Sequence, residues 1–506
     1  MKHQAIGVDI GTTGVKAALI DVDGRLLASA TVEYDLHSPH TGWAEEDPAD
    51  WIAGTRAALR QLSQHPELDR DGIAAIGVSG MVPALVLLDA AGTPVRPSIQ
   101  QNDARTIVEV AELASRIDQD ALYHRTGGYT NQQHIAPRLL WVQRHEPDAW
   151  ARTKTILGSY DLVTAWLCGA EPATCSLELN WAIESGLYDF RERRWVPELL
   201  EAVDLDLSYF PPVHEPTDTV GSLSEGASDA TGLPTGIPIV AGSADHIASA
   251  LAAGLREDGD ILIKFGGAGD ILYCSAEPIT HPSLFIDAHD IPGKFLLNGC
   301  MAASGSLVKW YVSEILGLST AKSTLIELDR EAAVIPAGSD GVTILPYFLG
   351  EKTPIMDLQA RGVIFGLDLS HTRAHLFRAT LEAVMYGFRH HVDVLKDAGL
   401  HPNRFLATNG GVSSSLWRQI AADVLNEPVT SFRNHPGSVL GVAFVAGKAH
   451  GLFAHWEEID RFLTDRSVNV PDPAAAIRYE RGYIIYRDLY RRLQTLFPAI
   501  DTPLGV

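Results

Sequence analysis

The sequence predicts an α/β protein of two lobes with a deep cleft between them. Length is the first reason, because 506 residues exceed what one hydrophobic core usually organises. A repeated glycine hairpin is the second. Residues 6–21 read IGVDIGTTGVKAALID and residues 261–275 read ILIKFGGAGDILYCS. Each is an apolar strand, a glycine-rich turn and a second apolar strand. Gly11 and Gly14 align with Gly266 and Gly269 at a common offset of 255 residues, half of the chain. The third reason is the alternation of strand-like and helix-like segments around both hairpins. Two lobes that each present a glycine hairpin form a clamp suited to a phosphate between them.

The elements follow in order. Residues 5–34 alternate and turn like a β-meander, with Asp21-Val22-Asp23-Gly24 as a hairpin turn. Trp51, Thr55, Ala58, Leu59 and Leu62 recur at helical spacing and predict a helix over 48–64. Strands are expected at 73–78 and 84–88, and helices at 103–117 and 137–145. Residues 211–238, rich in Pro, Gly, Ser and Thr, read as a linker. Pro238-Ile239-Val240-Ala241 then returns to a strand. The lobes divide near residue 250, into 1–250 and 251–506. In the second lobe helices are expected near 301–316, 322–332, 372–398, 413–425 and 437–450, with a strand at 404–408. An amphipathic helix over 476–496 ends the chain.

Composition narrows the function classes. The formal net charge is −23, from 40 basic and 63 acidic residues. Nucleic acid and anionic membrane surfaces select for basic patches, so neither is the expected partner. A small anionic nucleotide remains compatible, because backbone donors and a divalent cation suffice for it. Cys168, Cys175, Cys274 and Cys300 are scattered, without a CxxC or a metal-ligand spacing. No secretory pattern precedes the first strand, and no apolar run is long enough for a membrane helix. A cytoplasmic protein is expected. The oligomeric state stays open, with a homodimer as one option.

Several motifs carry chemistry. In the first hairpin Gly11 and Gly14 permit tight turns that point N–H groups at one spot, and Thr12 and Thr13 add hydroxyl donors. Asp9, at the strand end, suits a Mg²⁺ ion held against phosphate, and Lys16 adds a cation. Taken alone, this pattern reads equally as a plain β-turn whose Asp bonds its own loop. The second hairpin, Gly266-Gly267-Ala268-Gly269, offers bare backbone without hydroxyls. Asp245 stands where a buried strand gives way to a helix, in Gly242-Ser243-Ala244-Asp245-His246. It reads as a carboxylate favoured by the helix dipole or as a general base for a hydroxyl attacking a γ-phosphate. Asn409-Gly410-Gly411 with Ser413, Ser414 and Ser415, and likewise Gly305-Ser306, resemble anion-binding helix starts, or simply capped helices. Gln100-Gln101-Asn102-Asp103-Ala104-Arg105 clusters amide, carboxylate and guanidinium groups that suit a polyhydroxyl ligand, although Asp103 equally caps a helix. Trp43 with Glu45, Glu46 and Asp47 is either a binding rim or a solvated turn.

Taken in order, these motifs resemble the FGGY carbohydrate kinases. DIGTT, the Asn-Asp-x-Arg run, the Gly-x-x-Asp helix start and the second glycine hairpin come first. Pro346-Tyr347-Phe348-Leu349-Gly350-Glu351-Lys352-Thr353-Pro354, Ala360-Arg361-Gly362 and Asn409-Gly410-Gly411 follow, so the match runs from about residue 4 to about residue 450. The xylulokinase-like branch is the nearest. The resemblance implies two ribonuclease-H-like lobes of the actin and hexokinase type. It also implies ATP- and Mg²⁺-dependent transfer of a γ-phosphoryl group to a sugar or polyol hydroxyl. Carried over by position, Asp245 accepts the proton, and Asp9 and Asp245 stand on the metal side. Thr12, Thr13, Lys16, Gly266 and Gly267 stand at the phosphates. Gly305, Lys309, Gly410, Gly411 and Ser415 line the nucleotide pocket. Met81, Val82, Pro83, Asn102, Asp103, Asp245 and His246 face the sugar.

The chain also departs from that branch. Met81-Val82-Pro83-Ala84 replaces a usual Gln-Met-His-Gly, Gln101 replaces an aromatic, and His246 replaces Asn or Gln. Gly267 stands where a Thr is usual. A pentulose such as xylulose is the expected substrate, with ribulose, erythritol or glycerol as alternatives. Two other classes are a catalytically idle sugar sensor on the same fold and an actin- or chaperone-like ATPase. The intact Asp9, Thr12, Thr13 and Asp245 argue against the sensor, and the motif order argues against the ATPase.

Overall fold

The structure, a computed structural model, describes residues 2–40, 42–433 and 435–500. Its first sheet begins with an antiparallel meander of β1 (Gln4–Gly11), β2 (Gly14–Asp21) and β3 (Leu26–Glu33). Gly11 pairs with Gly14, so Thr12 and Thr13 alone form the tip. Helix α1 (Pro48–Ser63) follows, capped by the Asp47 side chain. Strand β4 (Ile73–Gly80) then lies parallel to β1. Helices α2 (Ser159–Cys168) and α3 (Leu179–Glu184) precede β5 (Thr219–Ser222) and β6 (Pro238–Val240), and the sheet order is β5-β6-β4-β1-β2-β3. Helix α4 (Asp245–Ala252) closes this half.

The second sheet repeats the plan. β7 (Asp260–Phe265), β8 (Gly269–Ser275), β9 (Phe285–Ala288) and β10 (Phe295–Met301) pair antiparallel in the order β9-β10-β8-β7. After α5 (Gly305–Trp310) and the long α6 (Arg373–Asp397), strand β11 (Arg404–Thr408) pairs parallel to β7. Helix α7 (Ser415–Leu425), β12 (Val429–Phe432), helix α8 (Ser438–Ala449), β13 (Arg466–Asn469) and α9 (Pro473–Leu493) complete it. Each lobe therefore has antiparallel strands on one side of its first strand, a parallel strand on the other side, another parallel strand, and an antiparallel edge. This matches the predicted two-lobed architecture.

The central strands are mostly apolar and buried because both faces of the sheet are covered. α1 and α2 cover one face of the first sheet, and α8, from the second half of the chain, covers the other. A Cβ at Gly7 would lie 2.1 Å from the Val439 carbonyl oxygen, and one at Gly77 2.6 Å from that of Val442. Glycine at these positions lets helix and sheet backbones touch. Two large apolar clusters fill the lobes. A third, with Ala5, Ile20, Leu251, Leu440 and Phe444, joins α4 and α8 to the first sheet.

Two sequence expectations are corrected. Residues 211–238 are no linker: they contain β5 and the helix Glu225–Thr231, and β5 is an edge of the first sheet. Turn-forming composition there reflects short elements joined by tight turns. The helix expected from residue 103 starts only at Ile107, because Asp103 is engaged elsewhere.

Candidate active site

A cavity of about 530 Å³ lies between the sheets. Val82, Asn102, Glu184, Asp245 and His246 from the first half and Lys264, Asp270, Asp287, Asn298 and Lys352 from the second are among its lining residues. Asp245 opens α4, and its side chain is 36 % exposed, which leaves it accessible to the cavity. The helix begins there because Gly242, at φ 97°, breaks the preceding strand. A Cβ on Gly242 would lie 2.0 Å from the Val78 carbonyl oxygen.

Asp9 lies at the end of β1, beside Ser79 on the parallel strand, whose Oγ donates to Asp9 Oδ1 at 2.8 Å. Burial, and then the nearby Asp245 carboxylate, push Asp9 up to about 6, against hydrogen bonds from Ser438 and Ser79 and the charge of Lys16. Two neighbouring carboxylates in mutual repulsion, Asp245 at the cavity and Asp9 behind it, are a hard-oxygen donor set, and they fit Mg²⁺.

Glu184, His246 and Asp287 bring one ligating atom each within 4.8 Å of one another. His246 Nε2 is 3.2 Å from Asp287 Oδ2 and 3.9 Å from Glu184 Oε1, and Nδ1 is 3.6 Å from Asp245 Oδ1. Burial alone would lower His246, but hydrogen bonds and charges from Asp245, Asp287 and Glu184 hold it well above its ordinary value. Burial and Asp287 raise Glu184 to about 8. Asn298 donates to the same Asp287 oxygen. His134, by contrast, is pushed down to about 4 by burial and by Arg138, and lines the cavity as a neutral imidazole.

Some of the expected sugar residues are here and some are not. Val82, Asn102, Asp245 and His246 line the cavity, whereas Met81, Pro83 and Asp103 do not. Met81 is 1 % exposed, and the Pro83 carbonyl accepts from Arg138 Nη1 at 2.7 Å. Asp103 accepts from Ala44 N, Arg105 Nε and Arg105 Nη2 at 2.7–2.8 Å. The Asn-Asp-x-Arg run thus divides, with the amide facing the ligand space and the ion pair facing the core. Trp43 is no binding rim either, because the Arg105 guanidinium sits 3.7 Å over its ring. Glu45 and Glu46 lie buried in a short strand, and Asp47 caps α1.

The nucleotide-side residues fall around the second hairpin and outside the cavity lining. Phe265 pairs with Gly269, so this tip has three residues, where the first has two. The Gly267 carbonyl accepts from Ser304 N at 2.9 Å and from Ser306 Oγ at 2.9 Å, and Gly305 N donates to Gly266 O at 2.8 Å. Gly267 and Gly410 face open space, with nothing within 4 Å of an added Cβ. Ser304 Oγ and Thr408 Oγ1 are buried there without hydrogen-bond partners among the described residues. Open glycines beside unsatisfied hydroxyls fit an oxygen-rich ligand such as a triphosphate. Lys309 is exposed, and Ser415 opens α7 after Ser414 has capped it. Lys16 is not among the cavity-lining residues, and its Nζ donates to the Pro436 carbonyl at 3.1 Å.

Glu184, Lys264, Asp287, Asn298 and Ser438 escaped the sequence reading. Only Lys264 carried a signal there, as a lone charge inside the apolar run ILIKF.

Residues 4–252 match the N-terminal domain of the FGGY family of carbohydrate kinases, and residues 271–450 match its C-terminal domain. Xylulose kinase of Escherichia coli is 30% identical over 495 residues, covering 97% of this chain and 99% of that protein. Xylulose kinase of Lactococcus lactis is 29% identical over 490 residues, covering 96% of each. The crystal structure of xylulose kinase from Rhodospirillum rubrum superposes with a TM-score of 0.92 at 43% identity, over 98% of this chain and 99% of that one. On these matches, and with the two repeated sheets they share, the chain belongs to the FGGY family of carbohydrate kinases and is a phosphotransferase acting on a sugar alcohol group.

Proposed function

We propose that this protein is an ATP-dependent kinase of a pentulose, xylulose or a close stereochemical relative, with Asp245 as the general base. The observation that carries the reading is the placement of Asp245, open to the cavity at the start of α4, with Asp9 in electrostatic reach. Xylulose kinases matched end to end support the choice of sugar class.

The substrate hydroxyl gives its proton to an Asp245 oxygen as its own oxygen bonds to the terminal phosphorus. The bond from that phosphorus to the ADP oxygen breaks, and ADP leaves. Asp9 and Asp245 would hold a Mg²⁺ ion, which when bound offsets charge on the phosphate oxygens. Thr12, Thr13 and the second-hairpin glycines would hold the phosphates, and Gly305, Gly410, Gly411 and Ser415 the rest of the nucleotide. His246 is held by carboxylates on both ring nitrogens, so it fixes Asp245 and Asp287 in place beside the sugar space. Asn102 and Asn298 add amides that hydrogen-bond hydroxyls without adding charge. In this arrangement residues 1–250 supply the base and most of the sugar side, and 251–506 the nucleotide side.

The test is ADP release, coupled to a colour readout, across xylulose, ribulose, pentitols, erythritol and glycerol. Turnover concentrated on one pentulose supports the proposal. Turnover on glycerol or erythritol alone removes the pentulose assignment. A thermal shift with sugars but no ADP release with any of them favours the sensor reading.

A further inference from the structure

The two hairpins carry the same charge pair in opposite order. In the first, Asp9 on the leading strand stands opposite Lys16 and beside Ser79 of the parallel strand. In the second, Lys264 on the leading strand stands opposite Asp270 and beside Thr408. Lys264 therefore occupies in lobe two the place that Asp9 occupies in lobe one.

Its surroundings are unusual for a lysine. Lys264 is 6 % exposed and lines the cavity. Its ammonium makes no hydrogen bond or ion pair with the described residues, unlike Lys16, which is tied to Pro436. The charged and titratable groups around it are few. Asp270 stands across the strand pair, with its carboxylate engaged at the Cys300 thiol. His435 lies close by and is held near 4 by burial, and Lys16 approaches that same imidazole. A buried ammonium that forms no ion pair is unfavourable, and chains keep one where a ligand supplies the counter-charge.

We propose that Lys264 contacts the terminal phosphoryl group of the nucleoside triphosphate and stabilises its charge during transfer. This rests on the kinase reading above. Lys264 lies two residues before the three-residue tip, beside the unsatisfied Thr408 hydroxyl. It supplies a donor close to where Gly267 offers none. The second hairpin is then not the weaker jaw: a cation replaces the side-chain hydroxyl. In the first jaw a carboxylate stands at the same place and suits the metal.

The test compares wild type with Lys264→Met and Lys264→Arg by thermal shift with adenosine, ADP and a non-hydrolysable ATP analogue, each with Mg²⁺, and by steady-state kinetics. In Lys264→Met the extra stabilisation gained from ADP to the ATP analogue should collapse, while the adenosine and sugar shifts stay. Its kcat/KM for ATP should fall about a hundredfold, the scale of losing one preorganised donor to developing charge. Lys264→Arg should restore part of both. Ligand-free Lys264→Met should melt no lower than wild type, because it loses a buried charge that forms no ion pair among the described residues. If Lys264→Met does not fold, Lys264→Gln reads the same two quantities. An ATP-analogue increment equal to wild type, or kcat/KM for ATP within about threefold of it, overturns the assignment. So does a loss confined to the sugar shift. If wild type releases no ADP with any sugar, the kinase reading fails, while the increment between ADP and the ATP analogue still decides the role of Lys264.

Discussion

At the residue scale, the site separates groups that face ligand from groups that hold the scaffold. Asp245→Asn keeps the shape of the side chain and removes its basicity. Sugar-dependent ADP release should fall by about 10²–10⁴, the usual worth of a positioned base. Its melting temperature should stay close to wild type. Near-normal turnover would remove Asp245 from the mechanism. The adjacent glycines Gly410 and Gly411 separate binding from folding. An alanine Cβ at 410 meets nothing within 4 Å, whereas one at 411 would lie 2.6 Å from Phe265 Cβ and 2.7 Å from the Trp417 ring. Gly410→Ala should therefore melt like wild type but raise KM for ATP about tenfold, a change of about 1.4 kcal/mol. Gly411→Ala should lose about 1–3 kcal/mol of stability to overpacking. Denaturant titration beside ATP kinetics on both variants checks the contrast, and a stable Gly411→Ala would contradict the packing argument.

At the element scale, α6 shows how a buried helix adds a pH dependence to its sheet. His391 on this helix is fully buried, with Nδ1 at 2.9 Å from the Gly387 carbonyl and Nε2 at 2.7 Å from Thr353 Oγ1. Burial holds it down near 4, against the ordinary 6.5, so the fold favours the neutral ring. With the folded value depressed, its contribution is present above pH 6.5 and is lost as pH falls towards 4. Other buried groups titrate in the same range, so the comparison must be with a variant. His391→Gln should be less stable than wild type by about 1–3 kcal/mol at pH 8, for the disturbed hydrogen bonds. Between pH 6.5 and 4.5 it should then lose roughly 2 kcal/mol less than wild type does. Urea midpoints of both proteins at several pH values give this difference. Parallel curves would show that His391 is not held neutral.

At the scale of the whole molecule, the halves of the chain are interwoven. Helix α8 belongs to the second half by sequence but packs on the first sheet, across α4. A Cβ at Gly441 would lie 1.9 Å from the Ala248 carbonyl oxygen. This crossing also fixes the active site, because α4 begins with Asp245 and α8 begins with Ser438, which bonds Asp9. Gly441→Ala should push the helices apart and destabilise by about 3 kcal/mol or more, a backbone clash that no rotamer can relieve. It should also cut kcat more than ATP affinity, since Asp245 moves relative to Asp9. Calorimetry and kinetics on one preparation test both. A stable variant with unchanged kcat would show that the crossing has slack.

Much of this was legible in the sequence, because it rests on local rules. Apolar runs broken by glycine tips specify strands and tight turns, and the offset of 255 residues revealed the duplication. A carboxylate at a helix start marked Asp245. Composition misled over 211–238, where short elements and a linker share the same residues. The Asn-Asp-x-Arg run could not show that Asn102 faces the ligand while Asp103 faces the core, since adjacent side chains differ only in where the fold turns them. Glu184 and Asp287 stand more than a hundred residues apart, and no spacing joins them to His246. By itself the sequence determined the reaction class and the duplicated lobes, and it marked Asp245 as the candidate base, because each motif involved is short and local in the chain. Only the tertiary structure decided which side chains meet around His246, and that Lys264, where its twin is Asp9, forms no ion pair among the described residues. Burial and pairing across distant segments are properties of the packed molecule.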